Sequence, residues 1–285
     1  MRTRLSLVAL AVVAVVGCSS GAASSAPATT GSPSTASSAP ASVAPSSTAA
    51  ELTIFAAASL AKALDEAKVA YETANPGSTL TISTDSSAAL ETQIEQGAPA
   101  DVFLAADTTN PKKLIDGGFA DGEAISFAGN KLTVITPQDD PAGLETPLDL
   151  ANPGVKVVAA GDEVPITKYA TQLVENLAKE PGAPADFAGS YAANIVSKED
   201  NVAAVRTKIE AGEGDAAIVY VTDAAASDKV ATIEVPDSAN VPATYAGVVV
   251  KASSNLDAAH AFLDWFAGPE GQAILKGFGF LPPAS

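Results

Sequence analysis

From position 52 to 250 the chain alternates short strand-like runs with stretches of helical periodicity, and this alternation restricts its fold more than any other feature. The pattern predicts strands over 52–55, 79–83, 101–105, 131–136, 155–159, 216–221, 231–235 and 245–250. Between them, apolar residues recur at helical spacing: Leu60, Leu64, Ala67 and Tyr71; Leu90 and Ile94; Val202, Val205 and Ile209; and Leu256, Ala259, Phe262, Leu263 and Phe266. Asn75-Pro76-Gly77, Gly97-Ala98-Pro99, Asn152-Pro153-Gly154 and Gly268-Pro269 punctuate the joints. Alternation of this kind builds parallel sheets covered by helices on both faces. Ligands of such sheets sit beyond the carboxyl ends of strands, at the helix starts that follow.

Residues 51–285 suffice for one large domain or two lobes. Removing Arg2 and Arg4, the only charges before Glu51, from the 16 basic groups leaves 14 against 33 acidic groups, a net charge of −19. That balance excludes nucleic acid as a partner, which needs a basic face. An anion could be held only by a site acting locally, against a repulsive background.

The first fifty residues differ. Two arginines and no acid precede an apolar run at 5–16, too short for a bilayer, which needs about twenty residues. A basic head with a short apolar core is a secretory signal. It ends in Val15-Val16-Gly17-Cys18, which resembles the lipobox of bacterial lipoproteins and makes Cys18, the only cysteine, the expected lipid anchor. Residues 19–50 are almost entirely Ser, Ala, Gly, Thr and Pro, which cannot bury enough apolar surface to offset ordering entropy. They read as a tether, placing the domain outside the cytoplasm at a membrane surface.

Four turns are candidate anion contacts. Ser59 follows the first predicted strand; Ser86-Ser87 follows the second; Val164-Pro165-Ile166-Thr167 opens a helical run with proline at a favoured first-turn position; Asp200-Asn201-Val202 opens another, with Asp200 or Asn201 as N-cap. A helix start presents unpaired N–H groups and the positive end of its dipole, and so binds oxyanions without a charged side chain. Each turn taken singly is equally an ordinary cap.

Several strings of the chain resemble the periplasmic molybdate-binding proteins of ABC transporters. They are Phe55-Ala56-Ala57-Ala58-Ser59-Leu60, Gln96-Gly97-Ala98-Pro99-Ala100-Asp101-Val102-Phe103, Gly129-Asn130-Lys131-Leu132, Gly161-Asp162-Glu163-Val164-Pro165 and Gly214-Asp215-Ala216-Ala217-Ile218-Val219-Tyr220, with Gly268-Pro269-Glu270-Gly271-Gln272 and Gly277-Phe278-Gly279-Phe280 in the tail. The resemblance implies an α/β, two-lobed periplasmic-binding-protein fold of type II, each lobe a mixed, mainly parallel sheet flanked by helices. Lobe one would be 51–130 plus 245–285, and lobe two 131–244. It implies a monomeric solute-binding lipoprotein rather than an enzyme, with no cofactor and no directly bound metal cation. Its ligand would be molybdate or tungstate, handed to the permease and ATPase subunits of an ABC importer. The ligand contacts it implies are the hydroxyls of Ser59, Ser87 (Ser86 being the second choice) and Tyr220, and the backbone amides of Ile166 and Val202. Asp85 and Thr167 depart from the family's pattern, which has a small neutral residue and a glycine there.

Other readings are weaker. No Gly-x-Ser-x-Gly elbow exists, and the single histidine, His260, sits on an apolar helical pattern, so a hydrolase is not indicated. Asp139-Asp140 and Glu199-Asp200 read as solvated loop acids rather than metal ligands. Arg206 is the only arginine after Arg4, which leaves an amino-acid or sugar site without its usual clamp. The strongest rival is the same fold holding sulfate or phosphate.

Overall fold

The structure is a computed structural model that describes residues 50–283; the signal, Cys18 and most of the tether lie outside the described residues. Among the described residues the strands are β1 (Glu51–Ala57), β2 (Thr79–Asp85), β3 (Val102–Ala105), β4 (Ala120–Asn130), β5 (Leu132–Pro137), β6 (Val157–Ala160), β7 (Ile195–Glu199), β8 (Ala217–Tyr220), β9 (Val230–Ile233) and β10 (Ala243–Val250). The helices are α1 (Ala61–Ala74), α2 (Ser87–Glu95), α3 (Thr109–Asp116), α4 (Pro165–Leu177), α5 (Phe187–Ala193), α6 (Val202–Glu210), α7 (Val221–Ala225), α8 (Leu256–Ala267) and α9 (Pro269–Gly277).

One sheet has the order β2-β1-β3-β10-β4, parallel from β2 to β3 and antiparallel around β10. The second region holds β8-β5-β9, antiparallel around β5, and the parallel pair β6-β7. A parallel bridge between Val157 and Ala216 joins these two groups. The apolar faces read from the sequence are the buried ones: Leu64, Ala67 and Tyr71 on α1, Leu90 and Ile94 on α2, Val205 and Ile209 on α6, and Phe262, Leu263 and Phe266 on α8.

Two strands escape the sequence pattern. β7 has no fully buried residue, so it lacks the apolar alternation that marks a half-buried strand. β4 contains Gly122, Gly129 and several small residues, and only its last four positions are buried. It is held by pairing with β10 along its length rather than by propensity.

The motif strings have structural reasons. Gly97, at φ 88°, ends α2 by donating its N–H to Ile94 O, and so turns the chain towards β3. Asp101 accepts the N–H of Thr53 at 2.7 Å and the hydroxyl of Ser253, bolting together the starts of β1 and β3 and the end of β10. A side chain at Gly129 would place Cβ 2.9 Å from Pro282 O, so only glycine lets the C-terminal segment pair there. Asn130 and Asn240 fasten the chain where it leaves the first sheet: Asn130 Oδ1 accepts the Lys131 N–H, while Asn240 both accepts from and donates to the backbone of Leu132.

Candidate functional site

β1 and β2 run parallel, so their carboxyl ends lie side by side, and both deliver the chain to a helical start at the same edge. Ser59 lies in a one-turn 3-10 segment, Ala58–Leu60, that leads into α1, so the α-helix itself begins two residues later than Ser59. Ser86 is the N-cap of α2 and Ser87 its first residue. Facing them, α4 begins at Pro165 with Ile166 second, and α6 begins at Val202 behind the N-cap Asn201. Of the two cap candidates, Asn201 is the cap: its Oδ1 accepts the Ala204 N–H at 3.0 Å.

These segments enclose one pocket with about 220 Å³ of space, part of it open to solvent. Ser59, Ser87, Ile166, Val202 and Tyr220 all line it, with Ser86, Asp85 and Asn201 beside them. None of the lining residues is basic. Any positive potential therefore comes from the N-terminal ends of α2, α4 and α6 and from oriented N–H and O–H groups. Helix geometry leaves the N–H groups of Ile166 and Val202, at first-turn positions, without partners in their own helices.

The hydroxyls are arranged as donors towards the pocket. Ser87 Oγ accepts the Ala106 N–H at 3.0 Å, which leaves its proton free. Tyr220 is 1% exposed, and its Oη has no hydrogen-bond partner among the described residues. Its ring lies between Tyr169 and Tyr245, at centroid distances of 6.3 and 5.6 Å. Burial pushes the Tyr220 phenol well above its ordinary value, so it stays protonated and able to donate. Orphaned buried hydroxyls are rare in folded proteins, and this one lines a pocket.

A third departure is Ala105, in place of a frequent serine; of the three, Thr167 and Asp85 have structural explanations. Thr167 turns away from the pocket, donating its hydroxyl to Gly161 O at 2.7 Å. Asp85 does line the pocket, but its Oδ1 accepts the Ser86 N–H at 2.8 Å and the Asn201 side-chain N–H at 2.9 Å. Asp85 ends β2 and Asn201 caps α6, so this bond crosses the cleft between the two sheet regions. Outside, the pocket adjoins a groove lined by Asp85, Glu91, Asp162, Glu163 and Asp200, with Lys113 as the basic member. That rim repels anions, so attraction must come from short-range donors inside.

His260 lies elsewhere, its Nε2 2.8 Å from Asp121 Oδ2, in a half-exposed pair between α8 and β4. Asp223, one turn beyond Tyr220, is 2% exposed; burial pushes its carboxyl up to about 7, with Arg206 3.9 Å away partly opposing the shift. The sequence reading offered Asn201 as a cap beside Val202, and missed Asn130 and Tyr245 as parts of the site region. Asn130 lay in a quoted motif string, but nothing local marks Tyr245 apart from other strand tyrosines.

The family described as bacterial extracellular solute-binding protein matches residues 52–281. The molybdate-binding protein ModA of Mycobacterium tuberculosis is 33% identical over 233 residues, covering 81% of this chain and 85% of that protein. The solved structure of the Azotobacter vinelandii periplasmic molybdate-binding protein superposes with a TM-score of 0.69 at 25% identity, over 82% of this chain and 100% of that one. The sulfate-binding protein SubI of Mycobacterium tuberculosis superposes with a TM-score of 0.72 at 19% identity, over 82% of this chain and 87% of that one, a likeness of fold.

Proposed function

This chain belongs to the bacterial extracellular solute-binding proteins, with their two-lobed periplasmic-binding-protein fold, and on that premise we propose that it captures molybdate or tungstate and delivers it to an ABC import permease. The observation that carries the reading is the convergence of Ser59, Ser87, Ile166, Val202 and Tyr220, from five separate stretches of sequence, on one pocket that includes an orphaned buried hydroxyl. Three hydroxyls and two backbone amides would replace the hydration shell of a doubly negative tetrahedron. Hydrogen bonds to a charged group contribute about 1.5–3 kcal/mol each, so five such bonds offset a large dehydration cost despite the acidic rim. Likeness to two molybdate-binding proteins supports molybdate as the tetrahedron.

The lobes we propose are 51–130 plus 245–285 and 131–244. The strand content supports them, since β5 to β9 all fall in the second range and β10, starting at Ala243, returns the chain to the first sheet. Ser59 and Ser87 would then close on the anion from one side, and Ile166, Val202 and Tyr220 from the other. Contacts shared between lobes favour the closed state over the open one, and the permease would read that closure. We further propose that Cys18 is lipidated and that residues 19–50 tether a monomeric domain outside the cell membrane. One observation favours a rival anion: the Asp85 carboxylate in the pocket wall could accept the proton of hydrogen phosphate.

Calorimetric titration of the purified domain with molybdate, tungstate, sulfate and phosphate decides between these. Molybdate and tungstate are expected to bind at sub-micromolar concentration and sulfate far more weakly. Tight sulfate or phosphate binding without a molybdate response would overturn the assignment of the ligand.

A further inference from the structure

Ser59 has a single proton, and the proposed function needs that proton to point into the pocket. Behind Ser59 stands a chain of groups whose hydrogen-bond directions can be assigned one after another. Asn130 Oδ1 accepts the Lys131 N–H at 2.9 Å, which fixes the orientation of the amide. Its Nδ2 carries two protons and has two acceptors, Thr222 Oγ1 at 2.8 Å and Tyr245 Oη at 3.4 Å. Tyr245 is fully buried. Asn130 Nδ2 can only donate to it, so among the described residues Ser59 Oγ, 2.9 Å away, is the one partner able to accept the Tyr245 proton. Ser59 then accepts from Tyr245, which turns its own proton away from Tyr245 and leaves it for the pocket. The same logic recurs at Ser87, whose oxygen is occupied by the Ala106 N–H.

We propose that Tyr245, backed by Asn130, is a positioning residue that holds Ser59 as a hydrogen-bond donor to the bound oxyanion. Tyr245 is not among the pocket-lining residues, so it acts through Ser59 and not by contact with the anion. The relay also joins the two regions of the fold, since Thr222 follows β8 whereas Tyr245 lies on β10. The inference rests on the oxyanion-binding reading above but not on which oxyanion is bound.

The test is a double-mutant cycle on the full chain, by calorimetry, with whichever of molybdate, sulfate or phosphate binds the wild type most tightly. Tyr245→Phe is expected to weaken binding roughly ten-fold or more, as loss of one well-directed bond to a charged group does. In a Ser59→Ala background, Tyr245→Phe is expected to add almost nothing. Asn130→Asp removes the donor that orients Tyr245 and supplies a competing acceptor; its effect should likewise be smaller in the Ser59→Ala background. It carries the test if Tyr245→Phe does not fold. Losses that multiply, with falls in melting temperature of matching size, would mean that Tyr245 only supports the fold, and the proposal would be wrong. Cooperative losses measured with sulfate would keep the relay and sink molybdate as ligand. A wild type that binds no oxyanion would end both.

Discussion

Tyr220→Phe separates what one hydroxyl does for anion binding from what it does for folding. The Tyr220 ring is buried against Tyr169 and Tyr245, and phenylalanine preserves that packing. The hydroxyl has no partner among the described residues and lines a pocket partly open to solvent, so in the anion-free, open state water can satisfy it. Removing it should therefore leave the stability of the anion-free protein nearly unchanged, on a scale where each kcal/mol moves the melting temperature of a domain of this size by roughly 2–4 °C. With the anion present the hydroxyl becomes a bond to charge worth about 1.5–3 kcal/mol, so its loss should weaken binding about 10- to 150-fold. The thermal stabilisation conferred by excess anion should shrink by the same free energy, since linkage depends only on the ratio of ligand concentration to Kd. Differential scanning calorimetry with and without molybdate, beside a titration for Kd, reads both quantities. A variant that melts many degrees from wild type without anion, or that binds molybdate unchanged, refutes the reasoning.

Three other outcomes follow from the same geometry. Val202→Pro removes the amide proton at the first position of α6, where proline suits the helix and Asn201 is already extended (φ −154°, ψ 168°). Binding should fall roughly ten-fold or more, whereas Val202→Ala, which keeps the amide, should bind nearly as the wild type does; equal losses in a titration would refute the amide contact. Asp85→Asn keeps an acceptor for Ser86 and Asn201 but removes a charge from the pocket wall, so oxyanion affinity should rise several-fold; unchanged or weaker binding would refute the repulsion. For Asp223, burial raises the folded carboxyl to about 7 from an ordinary 3.8. The folded state therefore holds a proton that the unfolded state has lost, and stability falls as pH rises from about 4 to about 7. Asp223→Asn should exceed the wild type in stability above pH 7 by up to about 4 kcal/mol, with the gain fading towards pH 4; a pH-independent difference in denaturation midpoints would count against it.

The alternation of strand and helix, the buried faces of α1, α6 and α8, and the helix starts at Pro165 and Val202 were legible because each is a local matter of periodicity, capping or proline geometry. Ser59, Ser87, Ile166 and Val202 could be nominated as donors because a helix start exposes N–H groups whatever surrounds it, and Tyr220 entered through resemblance. β7 and β4 were not legible, since partners rather than their own sequence make them strands. The convergence of five residues spread over more than 160 positions, the bond from Asp85 to Asn201 and the relay from Asn130 through Tyr245 to Ser59 were decided by tertiary structure alone. A sequence states which groups can donate a proton. Only packing, by occupying some acceptors and orphaning others, determines where each proton points.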